Sequence, residues 1–164
     1  MTTIYEQSLQ RLSEASGSAI EIGEDRVANV VVEDRVVTLK PSDEAESALT
    51  AFTIVAKCDD SGRFSVGTLE KALAMDLFGA RTLGGHIGLF GGALFLSRTI
   101  AVEGMSPVAL AEEFVALVRL AEEVERELGG AEDAQGGGTV APVPAPALED
   151  IPRLNFGDNG FIRV

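Results

Sequence analysis

The chain has 164 residues, 26 acidic against 13 basic side chains, a net charge of −13, one cysteine and one histidine. That length supports one hydrophobic core without a disulfide or metal staple, because folding at this size buries roughly 68–70% of the unfolded surface. The charge argues against a nucleic-acid or anionic-membrane binder, and a single Cys with a single His leaves no Cys/His metal set.

Only 5% of the residues are aromatic and none is Trp, so Leu, Val, Ile and Ala must build the core with a few Phe. No carboxylate cluster follows a metal-loop pattern. The lone Cys58 suits a reducing cytoplasm. The opening MTTIYEQSLQRLSEASG carries Glu6 and Glu14 and lacks the apolar centre of a signal peptide. No run approaches the ~18 apolar residues of a membrane span.

In chain order, residues 3–15 read as a helix. Tyr5, Leu9 and Leu12 fall at i, i+4 and i+7 with Ile4 beside them, Thr2 or Thr3 can cap it, and Gly17 can end it. Residues 27–39 read as a hairpin of β-branched runs, VANVVV and RVVTL, separated only by Glu33-Asp34. That turn lacks the Asn-Gly or Asp-Gly pair of the tightest hairpins, which leaves the register open to a one-residue shift. An acidic loop (40–47) leads to a strand over 50–58. Phe52, Ile54, Ala56 and Cys58 share one of its faces; Thr53, Val55 and Lys57 share the other.

Asp59-Asp60-Ser61-Gly62 is a turn signal. A second helix follows over 66–78, with Val66, Leu69 and Leu73 at helical spacing and Glu70 and Lys71 facing out. Next comes a glycine-punctuated hairpin, HIGLF-GG-ALFLSRTI, turned at Gly91-Gly92. Its glycines leave one strand bare, so that another backbone can approach closely.

The third helix has the clearest start. Ser106 is the N-cap, Pro107 sits at N1, and Met105 with Leu110 forms a hydrophobic staple. Leu110, Phe114, Leu117, Ala121, Val124 and Leu128 then form one stripe, and Gly129-Gly130 stops it. From 131 to 153 the chain turns Gly-rich and then Pro/Ala-rich, a linker composition spanning roughly 25–30 Å as a flexible coil. Residues 154–164 are apolar again. Leu154, Phe156, Phe161, Ile162 and Val164 allow two readings, a disordered end or a docking segment that pairs with a sheet edge of the same or a neighbouring chain and masks the partner surface while it is empty.

Catalytic patterns are absent. The glycines follow a helix and precede a strand, the reverse of a phosphate cradle, and no GK[ST] occurs. His86 is the only imidazole, no GxSxG is present, and Asp59-Asp60 is more simply a turn than an acid/base dyad. The residues alone therefore describe an acidic, cytoplasmic, partner-binding protein. It is not expected to be an enzyme or to carry a cofactor or metal.

The order helix, three strands, helix, two strands, helix, with ALAMDLFG, GGHIGLF, ALFLSRTIAVEGM and SPVALAEEFVALVRLAEEVEREL from Ala72 onward, resembles the class I chaperones of bacterial type III secretion (the Tir chaperone, CesT-like, family). It departs in having Asp76 where Asn is usual and in the tail beyond 131. YbjN-like bacterial proteins share the pattern. The resemblance implies an α+β fold, a five-stranded antiparallel sheet with three helices, over residues 1–130. It implies a homodimer in the bacterial cytoplasm, joined through Leu69, Leu73, Leu77, Phe78, Ile87 and Leu89. It also implies that a secreted effector is bound and kept partly unfolded before export, without nucleotide hydrolysis, over Tyr5, Leu9, Leu12, Val30, Val32 and Val37. The alternative is a YbjN-like adaptor or regulator holding a folded partner.

Overall fold

The computed structural model describes residues 2–42, 47–78 and 82–129. Their elements run α1 (Ile4–Ser16), β1 (Ala28–Val32), β2 (Arg35–Pro41), β3 (Ala48–Lys57), α2 (Val66–Phe78), β4 (His86–Phe90), β5 (Ala93–Ala101) and α3 (Pro107–Gly129). The fold is α+β, with one five-stranded antiparallel sheet ordered β1-β2-β3-β5-β4. The two sheet edges are therefore β1 and β4.

Local chemistry sets each boundary. Thr3 caps α1 through a reciprocal box: its hydroxyl accepts from the Glu6 N–H at 3.3 Å, and the Glu6 carboxylate accepts from the Thr3 N–H at 2.9 Å. Gly17 ends the helix at φ +66. Ser65 caps α2, accepting from the Thr68 N–H at 3.0 Å. Ser106 caps α3 in the same way, accepting from Ala109 at 3.2 Å. The Asp59 carboxylate accepts from the Ser61 hydroxyl and from the N–H groups of Ser61 and Arg63. The Ser61 hydroxyl, and then the Arg63 N–H, hold its carboxyl below the usual carboxylate range. This is turn chemistry.

The first hairpin settles on the register Val32↔Arg35, Val30↔Val37 and Ala28↔Leu39. Two residues close it, Glu33 at φ +48 and Asp34 at φ +67. Positive φ at both centres is the type I′ geometry that matches strand twist, and it disfavours side chains other than Asn, Asp or Gly. The tight register is thus set by the strands at the expense of the turn. Replacing Glu33-Asp34 by Asn-Gly should raise the unfolding free energy by about 1 kcal/mol, read as a shift in the urea midpoint without a change in slope.

The described residues divide into two compact units, 2–52 with 99–118 and 53–98 with 119–129. β3, β5 and α3 each run from one unit into the other. In the first unit Tyr5, Leu9, Leu12, Val30, Val32, Val37, Leu39, Leu49, Leu110, Phe114 and Leu117 are buried. The Tyr5 hydroxyl donates to the Leu39 carbonyl at 3.1 Å, fixing α1 on β2, and burial pushes its phenol well above the ordinary range. In the second unit Val55, Ala72, Met75, Leu94, Leu96, Val124 and Leu128 are buried. There the Lys71 ammonium donates to the Glu127 carbonyl at 3.2 Å, satisfying an orphan acceptor in the last turn of α3.

Candidate protein-binding surface

The second unit leaves a large apolar surface in water. Along α2, Val66, Glu70, Leu73, Ala74 and Leu77 face out, a helical stripe carrying one charge. Leu73 is 69% exposed and Leu77 79%. β4 adds Leu89 at 55% and Phe90 at 71%, and an added Cβ on Gly88 would meet nothing within 4 Å. Monomeric soluble proteins seldom expose so many large apolar side chains together. The sheet edge β4 lies among them. Of the residues expected at a dimer interface, Leu73, Leu77 and Leu89 are exposed, Leu69 and Ile87 are half-buried, and Phe78 is the last residue of α2. Val66, which shares the helical spacing of Leu69 and Leu73, belongs to the same exposed apolar set, as do Phe90 and Leu83, which periodicity does not single out.

Asp76 locks this surface together. Its Oδ1 accepts from the Ile87 N–H at 2.8 Å and so ties the start of β4 to α2. An Asn amide oxygen in the same place could accept the same bond, which explains how Asp stands in for Asn here. Asp76→Ala should cost about 1 kcal/mol by thermal or urea unfolding, while Asp76→Asn should stay within about 0.5 kcal/mol of the parent. His86 lies 3.5 Å from the same Oδ1 with its side chain 80% exposed. The Ser97 hydroxyl donates to the His86 main-chain carbonyl at 3.2 Å, so it serves the hairpin and not the imidazole.

The first unit buries the side chains expected to hold a partner. Tyr5 and Leu9 are 1% exposed, and Leu12, Val30, Val32 and Val37 are 0%. The six side chains expected to hold a partner are core in the folded chain. The reason lies in the pleat and the helix period. The i, i+4, i+7 stripe of α1 and the alternate residues of β1 and β2 face inward, and the same apolar spacing that suggests a binding surface is what a core requires. What the unit offers outward is the opposite sheet face. Val36, Thr38, Thr50 and Phe52 are half-buried there, with Thr38 directly opposite Phe52 across β2 and β3.

Leu154, Phe156, Phe161, Ile162 and Val164 lie outside the described residues, as does the 131–153 linker. Among the described residues no helix is long and apolar enough to cross a membrane, and no group of three or more His, Cys, Asp or Glu could hold a metal ion.

Known proteins give the surface its context. No curated protein matches the chain. A chain from the HopA1–SchA chaperone–effector complex shares 17% identity at a TM-score of 0.58, over 75% of this chain and 94% of that one. A chain from the Yersinia pestis type III secretion chaperone SycH in complex with a stable fragment of YscM2 shares 23% at 0.53, over 73% and 98%. A chain from the ExsC–ExsE complex shares 17% at 0.62, over 77% and 96%. Identities this low establish a common fold. The sequence carries the stronger statement, because the model of the Tir chaperone protein (CesT) family matches residues 7–125. That match takes in every described helix and strand apart from the outermost residues of α1 and α3, so the chain belongs to the Tir chaperone protein (CesT) family.

Proposed function

We propose that this protein is a cytoplasmic chaperone of bacterial type III secretion, working as a homodimer that holds a secreted effector partly unfolded before export. The family match over residues 7–125 carries the reading. Two of the proteins of like fold were solved in complexes described as chaperone–effector or as secretion chaperone with a bound fragment.

The physical chemistry fits. Each chain has two sheet edges, β1 and β4, and an extended peptide gains affinity by pairing with an edge while its side chains enter apolar pockets. The homodimer uses β4 together with α2. That leaves β1 and the half-buried face around Val36, Thr38, Thr50 and Phe52 for the effector. The charge of −13 favours basic or poorly folded segments and keeps the loaded complex soluble. Holding an unfolded stretch is a binding equilibrium, so it needs no nucleotide and no catalytic group.

The test is co-expression with secreted proteins of the same bacterium, followed by hydrogen exchange on the purified complex. The bound effector segment should exchange as extended chain apart from its paired strand, with apyrase making no difference. A bound partner that keeps the protection of its free, folded form would replace the chaperone reading with an adaptor.

The apolar end segment enters as a competitor. If residues 154–164 occupy the effector's place while it is empty, truncation after Gly130 should tighten effector binding, because a contact that taxes the free state has gone. Equal or weaker binding in titration calorimetry would remove the masking role.

A further inference from the structure

We infer that Leu83 is an anchor of self-association, held out on a strained turn so that it inserts into a second copy of this chain. The inference rests on the proposed dimer through α2 and β4 and goes beyond it by naming a residue that periodicity passes over.

Residues 82–85 form a tight turn in which the Gly85 N–H donates to the Thr82 carbonyl at 2.7 Å. Leu83 and Gly84, at its centre, have φ +46 and +82. Positive φ at both central positions is again type I′, where the first is normally Asn, Asp or Gly. A leucine there is a backbone outlier.

The turn has little room to relax. Thr82 is fully buried, and a Cβ on Gly85 would come within 2.9 Å of the Ser97 carbonyl oxygen and 3.0 Å of that of Thr82. The packed flanks thus fix the turn, and the turn presents Leu83 to water at 68% exposure. Among the described residues the arrangement carries the strain and leaves the leucine exposed. Strain of this kind persists where it serves a function, and burial of the leucine by another surface is the compensation available.

Charge identifies that other surface. Residues 82–97 contain no Asp, Glu, Lys or Arg, in a chain whose net charge is −13. In two-fold self-association a charge close to the axis meets its own image, so a charge-free run suits that position. A neutral patch suits a second copy. A basic partner would instead be met by carboxylates. The turn also leads straight into β4, which Asp76 ties to α2, so Leu83 extends the exposed set of Leu73, Leu77, Leu89 and Phe90.

The experiment compares Leu83→Asn with Leu83→Met. Asn suits the turn and lacks the apolar side chain, whereas Met keeps the apolar bulk and the strain. Dimer dissociation is measured by sedimentation, and thermal unfolding is measured at dilutions where the chains are separate. Leu83→Asn should weaken dimerisation at least about tenfold, since each dimer loses two buried leucines, and should raise the unfolding midpoint of the separate chain. Leu83→Met should dimerise within about threefold of the parent. An unchanged dissociation constant for Leu83→Asn overturns the inference while leaving the dimer standing. So does a variant that dimerises normally but loses effector binding. A parent chain that stays monomeric at tens of micromolar overturns the dimer reading itself, and Leu83 with it.

Discussion

A chain carrying Leu73→Glu and Leu77→Glu should run as a folded monomer near 17.2 kDa, and the parent, as the proposed homodimer, should run at about twice that mass. In the single chain these side chains are 69% and 79% exposed, so glutamate at either position meets water. Surface changes of that kind usually move stability by no more than about 0.5 kcal/mol. The fold should therefore survive. In a two-fold interface the same carboxylates are buried without partners, between two chains that already carry −13 each. Breaking the charge balance of a buried site costs about 3–5 kcal/mol, which is a factor of roughly 150 to several thousand in the dissociation constant. Light scattering at tens of micromolar, paired with circular dichroism melts, separates the two effects. A variant that still dimerises would show that α2 is not in the interface. A variant that unfolds would show that Leu73 or Leu77 is core.

The order of elements was legible in the sequence because its punctuation is local. Thr3, Ser65 and Ser106 cap helices through their own side chains, and Gly17 takes the conformation that ends one. Turn residues do the same for strands: Gly91 and Gly92 both have positive φ and join β4 to β5 in register. None of these signals depends on what lies across the molecule.

Which face points inward does depend on it. On β3 the larger side chains, Phe52 and Ile54, lie on the half-buried face, whereas Ala51, Thr53 and Val55 are buried. Size alone argues for the reverse. Both faces of the strand carry apolar side chains, and which one is covered is decided by what packs against the strand, not by the strand itself. The stripes of α1, β1 and β2 carry the same ambiguity: their spacing suits a partner surface and a core alike, and in the single chain they are buried. Leu83 shows the converse. No periodicity marks it, since its significance comes from a backbone angle that only the folded turn displays. The usable signal was negative, the charge-free run from 82 to 97.

Leu9→Ala and Leu12→Ala should each lower stability by about 2–5 kcal/mol and leave effector affinity unchanged wherever the chain is still folded. Leu9 is 1% exposed and Leu12 0%, so truncation removes transfer free energy and leaves a cavity that close-packed neighbours fill only partly. Against a total stability of roughly 5–15 kcal/mol, that is a large share. For a domain of this size the midpoint should fall by roughly 6–20 °C. Apparent affinity is the intrinsic affinity scaled by the folded fraction, so at a temperature well below the lowered midpoint it should match the parent. A binding site predicts the opposite pair of results, an unmoved midpoint with lost capture. The two measurements together therefore decide whether α1 supports the binding surface from beneath or forms part of it. Lost capture with an unmoved midpoint in either variant would mean that α1 lifts from the sheet in the working state and that the effector takes its place.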